Sequence, residues 1–284
     1  MTWFYFSLIS AVGYALVSLL SRVIAVESDH PRELSVVFNL ISGTIALLIF
    51  FVSSGYVNFN LPKDPQAYIY LFVILLFYGL YERFRFKTSK YLEVSTQGTL
   101  NNIFIVVAFV IALFIYSEVI TADKIFGFIF VLVGILLVTV NKSKKINSMG
   151  LFYGVLANVS VGIAWSLDKK GISYFNPDLY NLLVWVAPII VVSFFPAIKL
   201  SIVKKIIKKD FKQISLISFL NVAAYLFNLK ALVVGGEATK VIPIVQTSTI
   251  ITIILGIIFL KEREHIVKKT VAGLIAIIGV FLLV

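Results

Sequence analysis

The chain has 284 residues and a formal net charge of +11, with 60% of residues hydrophobic and 14% charged. An ordinary globular domain carries about 45–50% and about 25%, so a soluble fold is excluded. The chain has no cysteine, which excludes disulfides, thiolate metal sites and cysteine nucleophiles. The basic excess reads as membrane topology and lipid contact, because nucleic-acid binding needs a basic face on a folded domain.

A bilayer core about 30 Å thick takes roughly 20 apolar residues as helix, and ten such blocks fit the sequence. The first covers residues 2–26. It has no basic n-region and no small-residue cleavage site, so it is expected to be a retained helix. The second covers 34–56. The third has an uncharged core of only 67–81 and is expected to run on as helix through Glu82, Arg83, Arg85 and Lys87. The fourth and fifth cover 94–117 and 125–141. A basic linker with Lys142, Lys144 and Lys145 marks the midpoint. Blocks six to ten cover 146–167, 179–198, 214–236, 241–260 and 270–284, with Pro188 expected to kink the seventh. The segment 199–213, beginning at Lys199, is amphipathic. Val203, Ile206 and Ile207 fall on one face and Lys204, Lys205, Lys208 and Lys209 on the other. It predicts a short helix in an anionic headgroup layer.

The halves resemble each other. An offset of 144 places Tyr81 on Tyr225, Glu93 on Glu237, Glu118 on Glu262 and Lys124 on Lys268. The expected fold is therefore an all-α integral membrane protein, with ten transmembrane helices in two five-helix repeats, 1–141 and 146–284. An odd number of spans per repeat requires inverted insertion, the usual architecture of alternating-access carriers.

Local motifs agree. The first half carries Tyr116-Ser117-Glu118, Thr121, Lys124, Gly127 and Gly134; the second carries Leu260-Lys261-Glu262, Lys268, Gly273 and Gly279-Val280, with Pro243 upstream. This arrangement resembles EamA-type domains of the drug/metabolite transporter superfamily. Ser117 and Lys261 stand where those domains usually have glycine. The resemblance implies a small-solute transporter, an exporter or exchanger. With no Gly-rich nucleotide loop, ATP hydrolysis within the chain is not expected.

Polar residues inside membrane helices usually face an interior or a watery cavity. Tyr78, Tyr81, Glu82 and Arg85 share one face of helix three, where Glu82 and Arg85 can pair. Gln97 and Asn101 share a face of helix four. Asn158, Trp165 and Lys169 share one of helix six, with Asp168 beside it. Asn221, Tyr225 and Asn228 share one of helix eight, and Gln246 follows Pro243 by one turn. These residues and Lys230 are the candidate cavity set. For the amides the alternative is plain interhelical hydrogen bonding. For Tyr and Trp it is the membrane interface, and for Lys230 it is snorkelling instead of a buried counter-charge. Arg83 and Lys87 are expected to snorkel. Glu118, Glu262 and Pro243 are expected to be structural helix-end or hinge residues. Gly154, Asn158 and Gly162 form a small-residue stripe. No catalytic set, cofactor or metal site is expected: His30 and His265 are isolated.

Lys and Arg number 19 in and beside the connections after helices one, three, five, seven and nine, against 6 on the other side. The positive-inside rule then puts both termini outside, whereas the family resemblance implies both inside. The leading expectation is a secondary transporter in the cell membrane, a monomer or weak homodimer, moving a small polar or amphipathic metabolite. A lipid-linked substrate flippase stands second, and a membrane enzyme and a non-transporting scaffold stand further back.

Overall fold

The computed structural model describes residues 2–53, 57, 61–115, 121–139, 147–194, 197–234, 241, 244–262 and 265–283. Among these the regular structure is helical, with no strand. The helices are α1 (Thr2–Glu27), α2 (Pro31–Val52), α3 (Pro65–Tyr91), α4 (Val94–Leu100), α5 (Ile103–Ile115) and α6 (Ala122–Thr139). They continue as α7 (Ser148–Tyr174), α8 (Pro177–Val186), α9 (Pro188–Ser193), α10 (Leu200–Val233), α11 (Ser248–Phe259) and α12 (Ile266–Leu283). Five are long and apolar enough to cross a bilayer unaided: α1, α2, α3, α7 and α10. The midpoint lysines Lys142, Lys144 and Lys145, together with Glu118 and Pro243, lie outside the described residues.

The helix starts follow local chemistry. Proline occupies the first helical position of α2, α3 and α8, where its missing N–H costs nothing. Asp64 caps α3 by accepting from the Gln66 N–H at 2.9 Å, and Asn147 caps α7 by accepting from the Gly150 N–H at 3.0 Å. α3 runs on through Glu82, Arg83, Arg85 and Lys87 to Tyr91, as its charged second half predicts.

Two predicted spans are broken. Pro188 divides the seventh into α8 and α9 at Ala187, because proline removes one rung of the helical ladder. The fourth divides into α4 and α5 at Asn101 and Asn102. There the Asn102 side chain donates to the Thr99 carbonyl at 3.0 Å, a local bond that competes with the backbone ladder.

The segment 199–213 is corrected. It is not a separate short helix but the first part of α10. Val203 and Ile206 are buried in one cluster with Ile24, Leu34, Val37 and Ile214, while Ile207 is exposed, so part of its apolar stripe is covered by protein. At 1.5 Å per residue α10 is about 51 Å long, more than a bilayer core, and its lysine-rich start extends the span.

α3 packs on α7, α1 on α10, α6 on α12, α4 on α11, and α2 on α8 and α10. α5 packs on α7, and α1 also on α11. Glycines of α7 permit two of these approaches, Gly150 that of the end of α3 and Gly162 that of α5. A Cβ on Gly150 would lie 2.8 Å from Leu92, and one on Gly162 would lie 2.8 Å from the Phe104 carbonyl. Gly150 opens α7 beside Leu92, which closes α3, so the two helices are antiparallel. The outer surface exposes large apolar side chains such as Phe72, Phe114, Ile190 and Phe219. A continuous apolar exterior of this kind marks a lipid-facing belt.

Candidate functional site

A cavity lies among α1, α3, α4, α7, α8, α10 and α11. It has room for the centre of a water-sized sphere over about 160 Å³. Eleven of the predicted residues line it: Tyr78, Tyr81, Glu82 and Arg85 of α3, Gln97 and Asn101 at the α4 break, Asn158 and Trp165 of α7, Asn221 and Tyr225 of α10, and Gln246. Helical phase explains the convergence, since residues three, four and seven apart share a face.

Glu82 and Arg85 are buried and paired, with Arg85 Nη1 donating to Glu82 Oε1 at 3.0 Å. Asn39 Nδ2 of α2 donates to Glu82 Oε2 at 3.1 Å, and Arg85 Nη2 donates to Ser21 Oγ of α1 at 3.2 Å. The Arg85 guanidinium also sits 4.4 Å from the centre of the Phe38 ring, a cation–π placement. Two of its five N–H donors have protein acceptors among the described residues. The rest are available at the cavity wall.

Asp168 of α7 is a second polar centre. Its carboxylate accepts from the Tyr78 hydroxyl at 2.7 Å, the Tyr225 hydroxyl at 3.5 Å and the Tyr180 hydroxyl. Four helices, α3, α7, α8 and α10, therefore meet at one acid. Tyr78 and Tyr225 line the cavity, whereas Asp168 and Tyr180 are not on its wall and reach it through these two hydroxyls.

The amides divide by partner. Gln97 is spoken for at both ends: it donates to the Leu92 carbonyl at 2.8 Å and accepts from Ser89 Oγ at 3.0 Å. Gln246 donates to Asn102 Oδ1 at 3.0 Å, and Asn158 donates to the Gly154 carbonyl at 2.8 Å. By contrast, the hydroxyls of Tyr14 and Tyr81 and the side chains of Asn101 and Asn221 have no hydrogen-bond partner among the described residues.

Three predicted residues fall elsewhere. Lys230 is exposed on the outer side of α10, near the Phe227 ring. It stands five residues after Tyr225, and at about 100° per residue it points some 140° away from the cavity; it is not a buried counter-charge. Asn228 is buried but lies beyond the cavity wall. The Lys169 side chain lies outside the described ones. Arg83 does not snorkel: it donates to the Val191 and Phe194 carbonyls at the end of α9, where Arg32 also donates to Val192 and Phe194.

Glu262 is a helix-end anchor. Its carboxylate accepts from the Val94 N–H at 2.8 Å, the Ser95 N–H at 3.0 Å and Ser95 Oγ at 2.6 Å, closing the start of α4 against the end of α11. Lys269 pairs with Glu93 at the same place. Lys261, just before Glu262, takes φ 55°, a left-handed conformation natural to glycine.

Wall residues missed by sequence reasoning include Tyr14, Ser18 and Ser21 of α1, whose spacing of four and three is a readable polar face. Trp185 was also missed, although it stands four residues after Asn181, to whose Oδ1 it donates at 3.0 Å.

The sequence model of the EamA-like transporter family matches residues 1–140 and again residues 148–284. A solved structure described only as "Crystal structure of protein" is 14% identical, over 87% of this chain and 97% of that one, with a TM-score of 0.42. No curated protein matches the chain. Two matches that together span nearly all of the sequence establish that the chain belongs to the EamA-like transporter family: it is a membrane transporter of small molecules and not an enzyme.

Proposed function

We propose that the protein is a secondary carrier that moves a small polar or amphipathic metabolite across the cell membrane by alternating access. Its ten spans form two inverted repeats, 1–141 and 146–284. The observation that carries this reading is the set of unused polar groups on the cavity wall. An unsatisfied polar group buried in protein costs about 1–3 kcal/mol. Tyr14, Tyr81, Asn101 and Asn221 would together be expensive in a dry scaffold. In a cavity that water and cargo take in turn, they are recognition groups.

Reciprocal packing supports the inverted arrangement. If α1 to α6 correspond to α7 to α12 as two sets of five spans, then α3 on α7 mirrors α10 on α1, and α5 on α7 mirrors α11 on α1. α6 and α12 are mates and meet each other. A Cβ on Gly134 would lie 2.7 Å from the Ala272 carbonyl and 2.8 Å from Ala276. One on Gly279 would lie 2.6 Å from the Gly127 carbonyl and the same distance from the Val131 nitrogen. An offset of 145 carries Gly134 onto Gly279, Gly127 onto Ala272 and Val131 onto Ala276. Such paired contacts are the signature of a two-fold relation.

The basic end of the bundle, with Lys204, Lys205, Lys208 and Lys209, is placed in the cytoplasm against anionic headgroups. Sealed vesicles containing the purified protein test the transport reading, with amino acids, amines, nucleobases, sugars and phosphorylated metabolites as cargo. Saturable flux of one class above protein-free vesicles is the expected result, and flux of none contradicts it.

A further inference from the structure

We propose that the cargo carries a positively charged nitrogen, a primary or secondary amine, and that Asp168 within its ring of Tyr78, Tyr180 and Tyr225 receives it. This inference rests on the carrier reading for its purpose but not for its geometry.

Three observations converge on it. The first is charge. Glu82 and Arg85 are paired with each other and sum to zero. Asp168 has three hydroxyl donors, yet no Lys or Arg among the described residues is within ion-pair distance of it. Hydrogen bonds stabilise a carboxylate without neutralising it, so among the described side chains no cation offsets the charge that Asp168 carries when ionised. A buried charge needs a partner, and an anionic cargo would worsen the imbalance.

The second is hydrogen-bond capacity. A carboxylate offers about four lone-pair sites, and three are occupied by Tyr78, Tyr180 and Tyr225. One remains for an ammonium N–H. The Tyr78 and Tyr225 oxygens keep acceptor capacity for the other protons of the same nitrogen.

The third is the wall. Tyr14, Tyr81, Trp165 and Trp185 line the cavity beside this centre. Aromatic faces attract an ammonium and bury the carbon skeleton attached to it. That combination suits an organic cation. A metal ion would need several hard ligands, and among the described residues no three His, Cys, Asp or Glu side chains cluster.

The test is equilibrium binding to the full chain in lipid nanodiscs, read by the fluorescence of Trp165 and Trp185 and by competition dialysis. The probes are amine, alcohol and carboxylate analogues built on phenylethyl, cyclohexyl and butyl skeletons. In the wild type at least one amine is expected to bind about tenfold or more tighter than its matched alcohol, and the carboxylates are expected to bind least. Asp168→Asn is expected to erase the preference for amine over alcohol while the alcohol's own affinity stays within about twofold. Tyr180→Phe keeps the charge and loses one donor. It is expected to leave the preference in place, and it carries the test if Asp168→Asn does not fold. The inference is overturned if no amine on any skeleton binds, if alcohol or carboxylate binds as tightly as amine, or if Asp168→Asn keeps the preference. Amine binding without flux in vesicles would sink the carrier reading alone. Flux of a carboxylate with no amine binding would sink this inference alone.

Discussion

Gln246 donates from Nε2 to Asn102 Oδ1 over 3.0 Å, and the two residues stand 144 positions apart, the offset that lays Tyr81 on Tyr225 and Glu118 on Glu262. A residue that touches its own counterpart lies near the axis relating the repeats. Under the proposed inverted arrangement the pair puts that axis beside Gln246 on the cavity wall, near the break between α4 and α5 and the start of α11.

The proposed two-fold relation would make the two ends of the α6–α12 contact equivalent. Gly134→Leu and Gly279→Leu are each expected to destabilise the protein by at least about 1–3 kcal/mol, because the nearest obstructing atoms include backbone carbonyls that cannot give way. Thermal unfolding in detergent should show similar losses at both positions. A large loss at one and none at the other would speak against equivalent packing.

The buried Glu82–Arg85 pair should behave as a unit. Glu82→Gln alone leaves the Arg85 guanidinium without its counter-charge, at a cost of about 3–5 kcal/mol. The double variant Glu82→Gln/Arg85→Met removes both charges and is expected to recover most of that stability. Unfolding midpoints of the wild type and these two variants check this, and a double variant no more stable than Glu82→Gln would disprove the coupling.

Lys261 occupies a left-handed backbone position, with φ 55°. Such a conformation costs a non-glycine residue roughly 1–2 kcal/mol. Lys261→Gly removes that strain but loosens the unfolded chain, which offsets part of the gain. The net expectation is stabilisation of up to about 1 kcal/mol, read as a raised Tm, with the Glu262 contacts to Val94 and Ser95 unchanged. A lowered Tm would mean that the lysine side chain itself holds the turn.

Much of the architecture was legible. Apolar blocks located the long helices α1, α2, α3, α7 and the second part of α10, Pro188 marked its break, and eleven of the polar positions picked by helical spacing lie on the cavity wall. What escaped was non-local or easily masked. The importance of Asp168 depends on tyrosines 12, 57 and 90 residues away, which no local pattern contains. The break at Asn101 and Asn102 has no proline to announce it. The charged start of α10 looked like a separate element because composition changes there while the backbone stays helical. Lys230 was misplaced for a different reason: its angular distance from Tyr225 was readable from helical phase, but the rarity of a charge in an apolar stretch outweighed it.

The charge bias predicts that the basic end faces the cytoplasm. Because the chain has no cysteine, single cysteines can be introduced cleanly. In intact cells a membrane-impermeant maleimide is expected to label Lys63→Cys and to spare Lys205→Cys until the membrane is opened. The reverse pattern would place the lysine-rich start of α10 outside, against the charge bias.

The central claim is that the cavity between the repeats opens to each side of the membrane in turn. A single cysteine in place of Asn221, on the cavity wall, tests it most directly in sealed vesicles of known orientation. The account predicts reaction with a membrane-impermeant thiol reagent from either face, with each rate changed by cargo supplied on one side. Reaction from neither face, or from one face only under every cargo gradient, would contradict it.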